Sequence, residues 1–137
     1  SQDLLLFSRS IRENVSYGKK DVTDEAIWSA LEHAHIAPFV RMLPNQLNQV
    51  LDENMVSGGQ LQRMHLAHLF CTGNDADLIM LDECLSALDE KSRDILIEHL
   101  GEFLKGKTAI IITQHSEMLL ICDKVHDLSK ANHGVHM

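Results

Sequence analysis

Apolar positions follow two regimes along this 137-residue chain. In the first half they recur at helical spacing. "DVTDEAIWSALEHA" puts Ile27, Leu31 and Ala34 on one face, with Asp24 and Glu25 in the first turn, where carboxylates offset the positive end of a helix. In "SIRENV", Ser10 and Glu13 have capping-box spacing, which predicts a short helix starting there. "IAPFVRMLP" reads as another short helix, with Pro38 near its start and Pro44 closing it. Residues 45–56 carry no periodicity and read as loop. Ser57 and Gln60 repeat the capping-box pattern and open a helix whose apolar positions include Leu61, Met64, Ala67 and Leu69.

In the second half runs replace stripes. After the break at "CTGND", "DLIMLD" is a short unalternating apolar run, expected as a buried parallel strand. Asp89 can cap the helix "EKSRDILIEHLGEFLKG", which Gly106 ends. "TAIIIT" is expected as a second buried strand, "SEMLLICD" as a helix and "KVHDL" as a third, poorer strand. Helices first, then strand–helix–strand, predicts an α/β chain: a helical appendage followed by a parallel sheet. There are no internal repeats and no low-complexity segment.

Composition narrows the function classes. Apolar residues make up 45% of the chain, enough for a core, and no apolar run is long enough to span a bilayer. The start, "SQDLLLFSRS", lacks the basic n-region and the apolar length of a signal peptide. It enters an apolar stretch without a methionine, and we read it as cut from a longer chain. The net charge of −8 is spread rather than blocked, which argues against nucleic acid as a partner. Cys71, Cys84 and Cys122 are odd in number and lack CxxC spacing, which fits a reduced setting better than a disulfide framework.

Two stretches carry candidate chemistry. Ser57, Gly58, Gly59 and Gln60 stand at a predicted helix N-terminus, where unpaired N–H groups and the helix dipole favour a phosphate and the glycines leave the approach open. A capped structural turn would have the same letters. Asp82 ends a predicted strand at its C-terminal edge, where open α/β sheets bind ligands. A carboxylate there can hold Mg²⁺ through water, and Glu83 beside it can orient and deprotonate an attacking water. Other features read more plainly. His65 and His68 are three apart on a helix, but no nearby cysteine or carboxylate completes a metal set. His33 and His35 read as solvated, Cys84 as a small semi-buried residue and Trp28 as a packing residue.

The order "VSGGQ", helix, "LIMLDE", "SALD", helix and a strand ending in "TQH" resembles the ATP-binding cassette ATPases, a P-loop NTPase family. Upstream, "SQDLLLFSRSIRENVSYG" looks like that family's glutamine loop and the start of its helical subdomain. "HAHIAPFVRMLPNQLNQVLDEN" is similar to the exporter-type stretch FIxxLPxGYxTxVGE. The resemblance covers nearly the whole chain. It implies a glutamine loop at residues 1–9, a helical subdomain with the signature at 10–73 and the C-terminal part of the α/β ATPase core at 74–137. It also implies ATP and Mg²⁺ as cofactors, a second ATPase domain in a head-to-tail dimer, a transmembrane domain and a place on the cytoplasmic face of a membrane.

Carried over by position, Gln2 would sense Mg²⁺ and couple to the membrane domain. Ser57, Gly58, Gly59 and Gln60 would grip the γ-phosphate of a nucleotide held by the partner. Asp82 would be the Mg²⁺-associated acid, Glu83 the catalytic base, and Ser86 to Asp89 the loop that talks across the dimer. Glu53 would face the transmembrane coupling helices.

Departures from the pattern matter as much. No GxxxxGK[ST] occurs in these 137 residues, and in the family that phosphate loop precedes the glutamine loop. Asp52 stands where a glycine is usual, Asn54 to Ser57 is shorter than the family spacing, and Leu61 and His68 replace common arginines. Counting without gaps from Asp89, or back from Asp123, puts Gln114 at the histidine-switch position and His115 one residue beyond. A one-residue shift turns a strand side chain to the other face, so both stay candidates. The resemblance leaves three functions open: an exporter ATPase, a degenerate half that completes a partner's site, and a chromosome-maintenance ATPase. "SIRENVSYG", "FVRMLP" and the low basic content disfavour the last.

Overall fold

The computed structural model describes residues 7–131; Gln2 lies outside them. Helices α1 (Ile11–Ser16), α2 (Asp24–His33), α3 (Ala37–Arg41) and α4 (Gly58–Thr72) come first, followed by β1 (Leu78–Asp82), α5 (Glu90–Phe103), β2 (Thr108–Ile112) and α6 (Leu128–Ala131). Both capping boxes form. Ser10 accepts from the Glu13 N–H while Glu13 reaches back to the Ser10 N–H, and Ser57 and Gln60 do the same at the start of α4. The Ser10 hydrogen bonds also hold the Glu13 carboxyl below its usual range. Thr23 caps α2 through the Ala26 N–H. Pro38 lies in the first turn of α3, where a missing N–H costs nothing.

Helix α4 organises the first half. It packs against α1 and α2 and buries Met64, Leu66, Ala67, Phe70 and Cys71. One apolar cluster joins Ile11 and Val15 of α1, Ile27 and Leu31 of α2, Val40 of α3, the α4 residues, and Leu96 and Leu100 of α5. Trp28 packs against this cluster, with the Arg41 guanidinium 5.1 Å above its ring. The 45–56 loop is tied down by its backbone: the Ile11 N–H donates to the Gln49 carbonyl and the Leu51 N–H to the Arg9 carbonyl.

Strands β1 and β2 are parallel, with Leu78 opposite Thr108 and Asp82 opposite Ile112. Their burial corrects the sequence expectation. Ile79 and Leu81 are buried, but Leu78 and Met80 are 54% and 68% exposed, and Ile110 and Ile112 are also exposed. Side chains alternate across a strand, so among the described residues only one face of this sheet is covered. A continuous apolar run cannot report that difference, because both faces carry the same residue type.

Three smaller expectations also change. Ser116–Ile121 is a 3₁₀ turn rather than an α-helix, closed by bonds such as Met118 N–H to the His115 carbonyl. At six residues and without a side-chain cap the segment has little to favour the α form, and tighter i to i+3 bonds close it. "KVHDL" has no ladder partner among the described residues; its Leu128 instead begins α6. Asp89 occupies the N-cap of α5 without the standard side-chain capping bond. Hydrogen bonding to Ser92, foremost to its side chain, holds the Asp89 carboxyl below its usual range. The α5 chain reverses past Gly106, whose φ of +77° suits a residue without Cβ.

Leu31 is fully buried at the junction of α2 and the cluster. Leu31→Ala should cost about 2–5 kcal/mol in urea unfolding, by lost transfer energy plus a cavity. Met42→Ala, at an 86% exposed position, should stay within about 0.5 kcal/mol. Equal costs would refute the core assignment.

Candidate functional site

The capping box at α4 fixes the geometry of the glycine pair. Ser57 has extended backbone, its Oγ accepts from the Gln60 N–H at 3.2 Å, and its own N–H donates to Gln60 Oε1 at 2.9 Å. Helix geometry leaves the Gly58 and Gly59 amides without intrahelical partners, at the positive end of a 15-residue helix. Ser57 and Gly58 are exposed. This is a fit for an anionic oxygen ligand.

The glycines also meet their own chain. A Cβ at Gly59 would stand 3.1 Å from the Ala87 carbonyl oxygen and 3.5 Å from Leu88 Cδ2. At Gly58 the nearest atom would be Ala87 Cβ, at an ordinary 3.6 Å. Thus Gly59 is needed for a backbone approach within the chain itself, from the loop that follows β1. Sequence spacing gave no sign of that contact.

That loop carries the acid pair. Asp82 ends β1 on the exposed face of the sheet, and its hard carboxylate oxygens suit Mg²⁺. Glu83 follows with φ +50°, a left-handed conformation that residues with a Cβ adopt at a cost. Its N–H donates to the Ile112 carbonyl at 2.8 Å, so the turn is anchored to β2 at the C-terminal sheet edge. Gln62 of α4 holds the other side. Its Nε2 donates to the Glu83 carbonyl at 3.0 Å and to Ser86 Oγ at 2.8 Å, and its Oε1 accepts from the Ala87 N–H at 2.8 Å. Sequence reasoning passed over Gln62; its three partners are far away along the chain.

Gln114 and His115 follow β2 at the same sheet edge, two and three residues past Ile112. Gln114 is exposed, continuing the alternation of exposed Ile112 and half-buried Thr113, while His115 is half-buried and its N–H donates to Thr113 Oγ1 at 3.0 Å. The structure therefore gathers Asp82, Glu83, Gln114 and His115 at one edge, with Ser57–Gln60 linked to that edge through the 83–87 loop. Asp89 sits exposed at the loop's far end, and Arg93 Nη1 donates to the Leu88 carbonyl at 2.9 Å beside it. Glu53 lies in an exposed 3₁₀ turn (Glu53–Met55) led by Asp52, whose carboxylate accepts from the Asn54 N–H.

The histidines have structural settings. His68 Nδ1 donates to the Val15 carbonyl at 3.2 Å, joining α4 to α1. Burial lowers the His65 pKa, favouring the neutral ring. His33 and His35 are exposed, and each ring lies within 5.6 Å of His99, whose Nδ1 donates to the His33 carbonyl at 2.7 Å. Arg63, next to Gln62, donates from Nη1 to the His35 carbonyl at 2.9 Å.

No family model matches the chain. It is 38% identical over 130 residues to the probable multidrug resistance ABC transporter ATP-binding/permease protein YheI of Bacillus subtilis, which covers 89% of this chain. It is 35% identical over 133 residues to a multidrug resistance ABC transporter ATP-binding and permease protein of Lactococcus lactis, covering 95%. An ATP-dependent lipid A-core flippase of Pseudoalteromonas translucida is 35% identical over 129 residues, covering 92%. The chain spans 22% of the length of each of these relatives. Among solved structures, a bacterial Atm1-family ABC exporter with ATP bound superposes with a TM-score of 0.76 at 25% identity, over 87% of this chain and 21% of that one.

Cys84, beside Glu83, has its thiol pushed up to about 11, chiefly by burial. It should therefore react with iodoacetamide at pH 8 about a hundred-fold more slowly than a free cysteine, because the thiolate is the nucleophile. The rate should climb about ten-fold per pH unit between pH 7 and 9. Mass-spectrometric labelling kinetics at Cys84 check this; rapid, pH-independent labelling would contradict it.

Proposed function

Because the chain belongs to the ATP-binding cassette transporter family, we propose that it is the C-terminal portion of an exporter's ATPase domain, acting in ATP hydrolysis at a dimer interface. The observation that carries this reading is a joint placement. Ser57–Gln60 head a 15-residue helix, and Asp82–Glu83 end a parallel strand whose following loop rests on that helix. Residues 1–9 then serve as the glutamine loop, 10–73 as the helical subdomain and 74–137 as the C-terminal part of the core. The partners are a second ATPase domain and a transmembrane domain, which holds this stretch at the cytoplasmic face of a membrane and selects the cargo. Glu53 faces that transmembrane domain.

Each residue has a role. The Ser57 hydroxyl and the Gly58 and Gly59 amides bind the γ-phosphate of the nucleotide carried by the partner's phosphate loop. Asp82, with Gln2, holds Mg²⁺ through water; the ion neutralises phosphate charge. Glu83 orients the attacking water and takes its proton. Gln114 lies where charge develops on the γ-phosphate. Its amide donates a hydrogen bond but carries neither a proton nor a positive charge, so this site binds and closes on ATP yet turns it over slowly. That residue is what favours a second reading, a half that mainly completes its partner's site.

Two experiments in the full polypeptide that carries this stretch test the reading. Gly58→Asp adds a carboxylate where the phosphate must approach, without a steric clash, since its Cβ meets only Ala87 Cβ at 3.6 Å. A carboxylate at a helix N-terminus also favours the helix, so folding should be kept. ATP-driven dimer closure should be lost while nucleotide binding at the intact phosphate loop persists; closure that survives would argue against contact in trans.

Gln114→His should raise turnover about ten-fold if about 1.4 kcal/mol of transition-state stabilisation returns. Unchanged turnover together with collapse on His115→Ala would make His115 the switch.

A further inference from the structure

Gln62 makes three hydrogen bonds, and all three go to the loop beginning at Glu83. A side-chain amide has two N–H donors and one strong acceptor, and each is used here. The bonds to the Glu83 carbonyl and the Ala87 N–H bracket the stretch that contains the left-handed Glu83. Left-handed backbone at a residue with a Cβ persists only when its surroundings over-determine it. At Glu83 those surroundings are the Ile112 carbonyl, which accepts its N–H, and the Gln62 amide, which donates to its carbonyl. Three residues upstream of Gln62, Gly59 lets the Ala87 carbonyl come close enough that a Cβ would meet it at 3.1 Å.

We propose that Gln62 is a positioning residue that holds Glu83 for proton transfer and ties it to the Ser57–Gly59 turn, so that one chain's contributions to two nucleotide sites move together. This rests on the reading that Ser57–Gly59 serve the partner's nucleotide and Glu83 the chain's own. On that reading, closing the glycine turn onto a phosphate pulls on α4, and the Gln62 amide transmits the displacement to the peptide group of Glu83. An apolar side chain of equal size would fill the same space but leave the Glu83 carbonyl and the Ala87 N–H to water.

The test compares Gln62→Ala and Gln62→Glu in the full polypeptide, by hydrogen-exchange mass spectrometry of peptides spanning residues 83–88 and by steady-state ATPase kinetics. Glutamate keeps the acceptor for Ala87 but loses both donors. Gln62→Ala should speed exchange at Ala87 ten-fold or more, while Gln62→Glu should leave it near the wild-type rate. Both should lower kcat ten-fold or more with KM for ATP within two-fold and an unchanged melting temperature. Unchanged exchange in Gln62→Ala, or kcat within two-fold in either variant, overturns the positioning role while leaving wild-type hydrolysis, and hence the functional reading, intact. A wild type that binds ATP without hydrolysing it overturns the functional reading and the catalytic role with it, whereas the exchange result still reports on the hydrogen-bonded clamp.

Discussion

The approach of the Ala87 carbonyl to Gly59 is the contact on which the candidate site depends. It requires a residue without a Cβ on the helix and a loop that turns sharply just after β1. Glu83 supplies the turn through its left-handed backbone, and the Gln62 amide closes it. Together these features hold the loop that follows the acid pair against the first turns of α4. The positive end of a helix and a pair of carboxylates attract each other, and close backbone packing fixes their separation.

The helices that support this contact are short. Helix α1 has six residues and α3 five, lengths at which an isolated helix in water is marginal at best. The Ser10 cap of α1 contributes about 1 kcal/mol, α3 has no side-chain cap, and burial of Ile11, Val15, Ile27 and Leu31 in the apolar cluster supplies the larger stabilisation. The exposed Arg41–Glu32 pair adds little beside that. Helix α4 thus has two tasks along one length: its middle is core, and its first turn is left open to solvent.

Much of this was legible before any coordinates. Capping boxes are local, so Ser10–Glu13 and Ser57–Gln60 announce their helices from four residues apiece. The resemblance to the ATP-binding cassette family rests on the order of "SGGQ", "LIMLDE" and "SALD", and the chain is 38% and 35% identical to two ABC transporter ATP-binding/permease proteins. Less legible was the character of the strands. "LIMLD" and "TAIII" are apolar at every position or nearly so, which suits burial on both faces, yet the described residues cover one face alone. The segment after His115 was misjudged for another reason. Helical spacing in six residues cannot separate a 3₁₀ turn from an α-helix.

What the sequence by itself determined was the set of local structures and the chemical types available: two capped helix starts, two strands, a glycine pair, an acid pair and an adjacent glutamine and histidine after the second strand. Each depends on neighbours within a turn or a strand, where propensity and hydrogen bonding act directly. Only the tertiary structure decided that Gly59 makes room for Ala87, that Gln62 spends its whole amide on the loop from Glu83, and that Arg63 reaches the His35 carbonyl. Those contacts join residues 21 to 28 positions apart. They exist because α4 is buried against α1 and α2 in one orientation, and burial is a property of the whole packed cluster rather than of any segment.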